Sequence, residues 1–483
     1  MLPLKPTHRV SFLVICFGVL FGFGISSIAG VLDILKSVFQ LSVTGEQGLV
    51  AILVISCFFG AVLAGPISLR WGRRIVILLA VVFALAGYGI MLASPGYAWF
   101  VAARIVVGVS VGLSSMVIPM YAAETTLARR RGAVVALFQL AITAGILIAY
   151  SVSLAFVSSV SWALILGSGV LPALLGLLAI LLLPESPRWL VSKGNMPAAE
   201  LAAQRLGLME EWREIAAGAV AGSARDGEVV DSGKKKERMR GLWQGSTVAV
   251  LTLCSLLFVL QNLSGIDGIL YYAPRIFQTL GFAPGTAALA ATFGLGLVNF
   301  VATLVALGIV DRAGRRPLLI GGSAVMVAGL AAVVAAAIFS WPWIGLFGLG
   351  VYIMAFAVSL GPLPYVLMSE LFPSAIREQG IAAASAVSWL FNALVAFTFL
   401  SVVESIGLAT TIALFLAVCV LSLVICIFFL PETRQVSLEV IEANVLAGRP
   451  LRMLGGARPV VELDPAVAAE AFLAAEGEKQ WQT

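Results

Sequence analysis

Gly132 to Pro184 contains no Asp, Glu, Lys or Arg, and neither does Pro317 to Ser369. About 20 apolar residues cross the hydrocarbon of a bilayer as one helix, so each run holds two crossings. No water enters that layer, and backbone groups must hydrogen-bond within the segment, which selects helices. The runs are too long and too uniformly apolar for the strands of a membrane barrel. Across the 483 residues 60% are hydrophobic and 11% charged, against roughly 45–50% and 25% in soluble domains. A string of soluble domains is thereby excluded.

Cutting the chain at its charge clusters and Gly/Pro breaks predicts twelve spans, near 10–32, 48–69, 75–94, 98–121, 132–154, 162–183, 246–279, 286–310, 317–339, 343–369, 380–402 and 406–430. The fold class is therefore an all-α polytopic membrane protein. Span 1 follows Lys5, His8 and Arg9 like a signal peptide, but it lacks a small-residue cleavage site and is kept as a helix.

Cations accumulate in cytoplasmic loops. Arg70, Arg73 and Arg74 follow span 2; Arg129, Arg130 and Arg131 follow span 4; Arg312, Arg315 and Arg316 follow span 8; Arg377 follows span 10. The loops after spans 3, 5, 9 and 11 carry no Lys or Arg, and the loop after span 1 has only Lys36. Both termini are expected in the cytoplasm, with the chain in the plasma (inner) membrane. The net charge of +5 is thus a topology signal spread over inner loops, and no nucleic-acid partner is expected. The five cysteines all fall within spans, where they read as small packing residues.

The second half of the chain repeats the first. Arg-Trp-Gly-Arg-Arg at 70–74 returns as Arg-Ala-Gly-Arg-Arg at 312–316; Glu124 and Arg131 return with the same spacing as Glu370 and Arg377; Pro184-Glu185-Ser186 returns as Pro431-Glu432-Thr433. Two six-helix bundles flanking a midplane site are expected from such a parallel duplication. The predicted organisation is a cytoplasmic N-terminus (1–9), an N-terminal bundle (10–184), a charged cytoplasmic linker with short helices (185–243), a C-terminal bundle (244–431) and a cytoplasmic tail (432–483).

These motifs together identify a resemblance. Arg104 to Gly108 with Pro119 to Glu124, Arg131-Gly132, Pro184 to Trp189, Gln261 to Tyr272 (QNLSGIDGILYY), Asp311 to Arg316, Gly361 to Pro364, Ser369 to Pro373 and Pro431 to Thr433 occur in order. They resemble the sugar porter family of the major facilitator superfamily over nearly all of residues 10–434. The resemblance implies the major facilitator fold, with a sugar or sugar-like polyol moved by alternating access in a functional monomer and no cofactor.

Inner-loop ion pairs suit a gate, because each exposed pair is worth only about 0–1 kcal/mol and breaks readily. Glu124, Arg131, Glu185 and Arg188 are expected to form one cytoplasmic network. Its expected twin comprises Glu370, Arg377, Glu432 and Arg434, with Asp311 and Arg315 beside it. Family members usually carry an Asp before the Arg after span 2; here that position is Leu69.

Polar residues at mid-membrane depth are costly and mark function. Gln139, Gln261, Asn262, Asp267, Asn299 and Asn392 present such groups, and an amide both donates and accepts, as a sugar hydroxyl does. The resemblance places the matching positions against the sugar. Interhelical hydrogen bonding is the alternative for any single amide. Tyr271, Tyr272, Tyr365 and Trp389 offer rings for sugar C–H faces, with core packing as the alternative; Tyr365 stands where many members have Trp.

In proton-coupled members an Asp lies in span 1 near the arginine matching Arg104; here that position is Gly24. The balance favours facilitated uniport. Against it, Asp267 stands where Asn is usual, and a carboxylate there could carry a proton, accept hydroxyl hydrogen bonds or attract an organic cation. Proton symport through Asp267, with Arg104 as the other coupling candidate, and organic-ion transport are therefore the alternatives; a solute-sensing receptor is a third. No nucleophile–base or metal constellation suggests an enzyme.

Overall fold

A computed structural model of the chain describes residues 6–93, 96–159, 161–209, 211–212, 245–373, 376–434, 436 and 438–456. Among the described residues there are twelve helices long and apolar enough to cross a membrane, and no strands. They are Pro6–Ser26, Val43–Trp71, Arg73–Ala93, Tyr97–Glu124, Gly132–Phe156, Trp162–Leu181, Ser246–Tyr271, Thr286–Val310, Arg315–Phe339, Pro342–Leu371, Gln379–Ile406 and Leu408–Phe429, called spans 1 to 12.

Three spans differ from their sequence outlines. Span 1 stops at Ser26, and after a run of turns a separate helix, Leu32–Phe39, follows. Hydropathy continues through that turn, which is why the sequence extended the span to 32. Span 7 breaks after Leu263: Gly265 adopts φ +89°, the helix resumes at Ile266–Tyr271, and Ala273–Thr279 forms a further short helix. Span 10 breaks between Val358 and Leu363, at the Gly-Pro-Leu-Pro stretch. Both breaks fall beside the Gly and Pro residues expected to cause them.

The two halves pack identically. Span 1 lies on span 5, 2 on 4, 3 on 4 and 3 on 6; in the second half span 7 lies on 11, 8 on 10, 9 on 10 and 9 on 12. Lipid tails are as apolar as leucine, so such packing relies on close backbone approach. Gly22 of span 1 shows this: a Cβ there would run into the Ile142 carbonyl oxygen of span 5. The halves meet where span 2 touches span 11 and span 5 touches span 8. All five cysteines are free and buried.

After span 6 come short helices Pro187–Ser192 and Met196–Leu206, the first capped by the Ser186 hydroxyl, the second by the Asn195 carboxamide. Lys234, Lys235 and Lys236 lie outside the described residues. In the C-terminal segment Leu438–Leu446 is helical.

Candidate functional site

The broken span 7 carries the polar residues of the midplane. The Gln261 amide nitrogen donates to the Gly361 carbonyl (2.9 Å), so the break in span 10 supplies an acceptor to the one in span 7. The Gln261 Oε1 is buried without a partner. Asn262 donates to the Phe258 carbonyl (2.7 Å) and to the Ser388 hydroxyl of span 11 (3.1 Å).

Two turns on, the Tyr271 hydroxyl donates to Asn392 Oδ1 (3.0 Å). That engages the amide oxygen of Asn392, and the Asp267 carboxylate lies near the same amide. Asp267 and Asn392 are half-buried. Among the described residues no cation makes an ion pair with Asp267.

Aromatic rings border this cluster. Trp389, one turn before Asn392, meets Phe21 of span 1 across the two halves (6.0 Å between centroids), and Phe21 meets Phe138 (6.2 Å). Gln139 follows Phe138 and is half-buried. Tyr365 packs edge-on against Phe258 (4.8 Å) and is 47% exposed. Gln261, Asn262, Asp267, Tyr365, Trp389 and Asn392 thus lie on spans 7, 10 and 11, and Gln139 lies on span 5.

Three further predicted residues are buried. Asn299 is buried in span 8, with no side-chain hydrogen bond among the described residues. Tyr271 is buried and acts through Asn392. Tyr272 is stacked on Phe399 (5.3 Å) and donates to the Ala396 carbonyl (2.8 Å), a packing role.

Two residues escaped the sequence reading. Ser388 accepts from Asn262; its spacing of four from Asn392 on one helix face was the available signal. Phe21 could not have been found, since an aromatic in an uncharged span looks like any packing residue.

Arg104 is 2% exposed. Its Nη1 donates to the Gly24 carbonyl (3.1 Å) and its Nε to the Leu49 carbonyl (3.2 Å). The guanidinium therefore reaches the position where a carboxylate was sought and finds backbone oxygen. Asp267 and Arg104 form no ion pair.

On the face carrying the arginine clusters, each half closes its own network. The Arg73 guanidinium grips Glu124 with two bonds (2.8 and 3.0 Å), while Glu185 accepts the backbone N–H groups of Arg73 and Arg74 (3.0 Å each) and of Ser186 (2.8 Å). In the second half Arg315 donates to Glu370 (2.9 Å), Glu432 accepts the backbone N–H groups of Arg315 and Arg316 (3.1 Å each) and Arg434 (2.9 Å), and Thr433 donates to Glu370 (2.6 Å). Each second carboxylate caps a helix start and each first one takes a guanidinium, so the two networks are twins.

Arg73 is the member missed by sequence, although its counterpart Arg315 was included. Arg188 is exposed and stands outside the pairing with Glu124. The side chains of Arg131, Asp311 and Arg377 lie outside the described residues.

Burial pushes the Glu185 carboxyl above its ordinary 4.5, opposed by the three backbone N–H bonds. An acid whose folded-state pKa is raised contributes stability that is complete below the ordinary value and lost as pH rises through the elevated one. Relative to the non-titrating Glu185→Gln, the wild type is expected to lose thermal stability as pH rises from 4.5. Parallel melting curves of the two proteins across that range would count against it.

Hydrogen bonds joining the halves, among the described residues, lie on the opposite face. Tyr150 donates to the Leu270 carbonyl (2.7 Å), Ser401 to Gln47 (2.8 Å), and Arg275 and Gln278 to Asp33 (3.2 and 2.8 Å). The molecule is thus tied on that face, while the Arg73–Glu124 and Arg315–Glu370 pairs each form within one half.

Two pseudo-equivalent bundles, packed together through spans 2, 5, 8 and 11 and tied at one face, are the architecture of a secondary membrane transporter working by alternating access. The comparisons sharpen the class. The family described as sugar (and other) transporter matches residues 10–445. The chain is 34% identical over 458 residues to the galactose-proton symporter of Escherichia coli, covering 93% of this chain and 96% of that one. It is 28% identical to facilitated glucose transporter member 10 of solute carrier family 2 from Xenopus tropicalis, over 90% and 92% of the two chains. The xylose transporter XylE of E. coli, in a partially occluded inward open conformation, superposes with a TM-score of 0.74 at 29% identity, over 89% of this chain and 100% of that one. This chain belongs to the sugar transporter family, and its fold is that of the major facilitator superfamily. It is a multi-pass membrane transporter and not an enzyme.

Proposed function

We propose that the surface formed by Gln139, Gln261, Asn262, Asp267, Tyr365, Trp389 and Asn392 binds the sugar or polyol, and that the protein equilibrates it as a uniporter. The amides and the Asn392–Asp267 pair offer donors and acceptors together, as a polyhydroxylated solute requires. Tyr365 and Trp389 supply rings. The observation that carries the uniport reading is Arg104, whose guanidinium is held by the Gly24 and Leu49 carbonyls with no carboxylate.

The arginine face is read as the cytoplasmic one from the cation distribution. Both termini then lie in the cytoplasm, the host membrane is the plasma (inner) membrane, and the functional unit is a monomer. The twin networks serve as gate elements that release the two halves from each other on that side; Asp311, Arg131, Arg188, Arg377 and Arg434 belong to the same gate. Proton symport through Asp267 is the second reading, favoured by its place beside the Asn392 amide and by the lack, among the described residues, of a cationic partner.

Purified protein in liposomes, given labelled hexoses, pentoses, inositol and amines with and without a pH gradient, separates these readings. The expected result is equilibration of a sugar or polyol that the gradient leaves unchanged. Asn392→Ala is expected to raise the half-saturating concentration about tenfold, the effect of losing roughly 1.4 kcal/mol of hydrogen bonding. Gradient-driven accumulation in wild type that disappears in Asp267→Asn would establish symport instead. Uptake of amines without sugars would replace the substrate class.

A further inference from the structure

Where the start of span 1, the start of span 3, the end of span 6 and the helix Met196–Leu206 converge, they enclose a recess of 340 Å³ lined by Pro6, Arg9, Arg74, Leu181–Pro184 and Arg205. Three arginines line one small volume. Among the described residues none of the three makes an ion pair, and the Arg74 Nε is buried without a partner. We propose that this recess binds the phosphate of an anionic phospholipid.

Helix electrostatics deepen the positive potential. Arg9 lies in the first turns of span 1 and Arg74 at the second residue of span 3, where the positive ends of the helix dipoles point. Cations are unfavourable there, so an anion is needed to offset them. The carboxylate at this spot, Glu185, directs its oxygens at the N–H groups of Arg73, Arg74 and Ser186 and, among the described residues, makes no ion pair with Arg9, Arg74 or Arg205. The exposed Glu200 on the linker helix makes no ion pair with Arg205.

The rim selects a lipid over free phosphate. Leu181 and Leu182 are 54% and 64% exposed. They continue into the outward leucines Leu171, Leu174, Leu175 and Leu178 of span 6. A phosphate held by the arginines therefore has an apolar track beside it for an acyl chain. Basic pockets at the cytoplasmic membrane edge take anionic headgroups in this way.

A bound headgroup would tie the linker helix, through Arg205, to the start of span 3, whose first residue Arg73 holds Glu124. The gate network of the first half would then respond to the composition of the inner leaflet. The assignment rests on reading the arginine face as cytoplasmic. Its test uses neither sidedness nor transport, so its failure is distinguishable from failure of the sugar reading.

Full-length protein in detergent is titrated with dioctanoyl phosphatidylglycerol, dioctanoyl phosphatidylcholine or inorganic phosphate, and the unfolding midpoint is followed, since a ligand of the folded state raises it. Phosphatidylglycerol is expected to raise it saturably, and the other two to leave it unchanged. Arg205→Gln and Arg9→Gln are each expected to raise the half-saturating lipid concentration roughly fivefold. Arg188→Gln, outside the recess, should not change it. Midpoints without lipid report whether each variant is folded. An equal shift with phosphatidylcholine or with inorganic phosphate overturns the proposal, as does an Arg9→Gln/Arg205→Gln double variant that titrates like wild type.

Discussion

Gly24→Asp is expected to make uptake respond to a pH gradient. A Cβ at position 24 would lie 3.1 Å from the Tyr88 hydroxyl, 3.4 Å from Val111 and 3.6 Å from Val107, close enough to demand a small adjustment. The Tyr88 hydroxyl is buried without a partner. Arg104 already donates to the backbone of the same residue. A carboxylate placed there would accept from both, converting an unpaired hydroxyl and a backbone-held guanidinium into a buried, titratable pair. Such a pair survives only when its hydrogen bonds are complete, and these two donors are positioned to complete them.

The variant should then accumulate sugar in liposomes when the outer solution is acidic, where wild type only equilibrates. One pH unit is about 1.4 kcal/mol, so one-to-one coupling limits accumulation to about tenfold. A folded variant that exchanges sugar normally yet ignores the gradient would show that a carboxylate beside Arg104 is insufficient. Accumulation by wild type would remove the uniport reading altogether.

Gly72→Ala and Gly314→Ala are expected to slow transport through the two networks. Gly72 adopts φ +97° and ψ 166°, and Gly314 φ +89° and ψ 155°, a region that only glycine occupies readily, at a cost of about 1–3 kcal/mol for other residues. A Cβ on Gly72 would also run into Glu185 Oε2, and one on Gly314 would lie 2.8 Å from Glu432 Oε2. Each carboxylate would have to leave the N–H groups that start span 3 or span 9. A bias of 1–3 kcal/mol in a two-state equilibrium is roughly 5–150-fold. The maximal uptake rate should fall at least fivefold in Gly72→Ala, with little change in the half-saturating concentration. Gly314→Ala should follow in the same direction and less far. Unchanged maximal rates in both would take the networks out of the transport cycle.

The spans were legible because a charge-free run of this length has one stable form in lipid. The breaks in spans 7 and 10 were legible too, from Gly265 and from Gly361 to Pro364. The turn after Ser26 was not, since residues 27–32 stay apolar whether or not they are helical. At the site, Asp267 and the amides stood out because polar groups are rare at that depth. Their partners did not: nothing local reveals that Asn392 orients toward both Tyr271 and Asp267, or that Tyr272 spends its hydroxyl on Ala396. Those contacts join span 7 to span 11 across more than a hundred residues. Arg73 was within reach, because the repeat aligns it with Arg315; treating the halves as one pattern would have put it opposite Glu124.

The self-contained charge clusters bear on how the two bundles depend on each other. Arg73 pairs with Glu124 while Glu185 holds backbone N–H groups inside one bundle, as Arg315, Glu370 and Glu432 do inside the other. Among the described residues none of these six groups takes its partner from the sibling bundle at that face, and a cut through the segment that connects them would orphan none of the six. In these contacts each bundle is a self-sufficient module, free to acquire substitutions in its interior without first renegotiating them with the other.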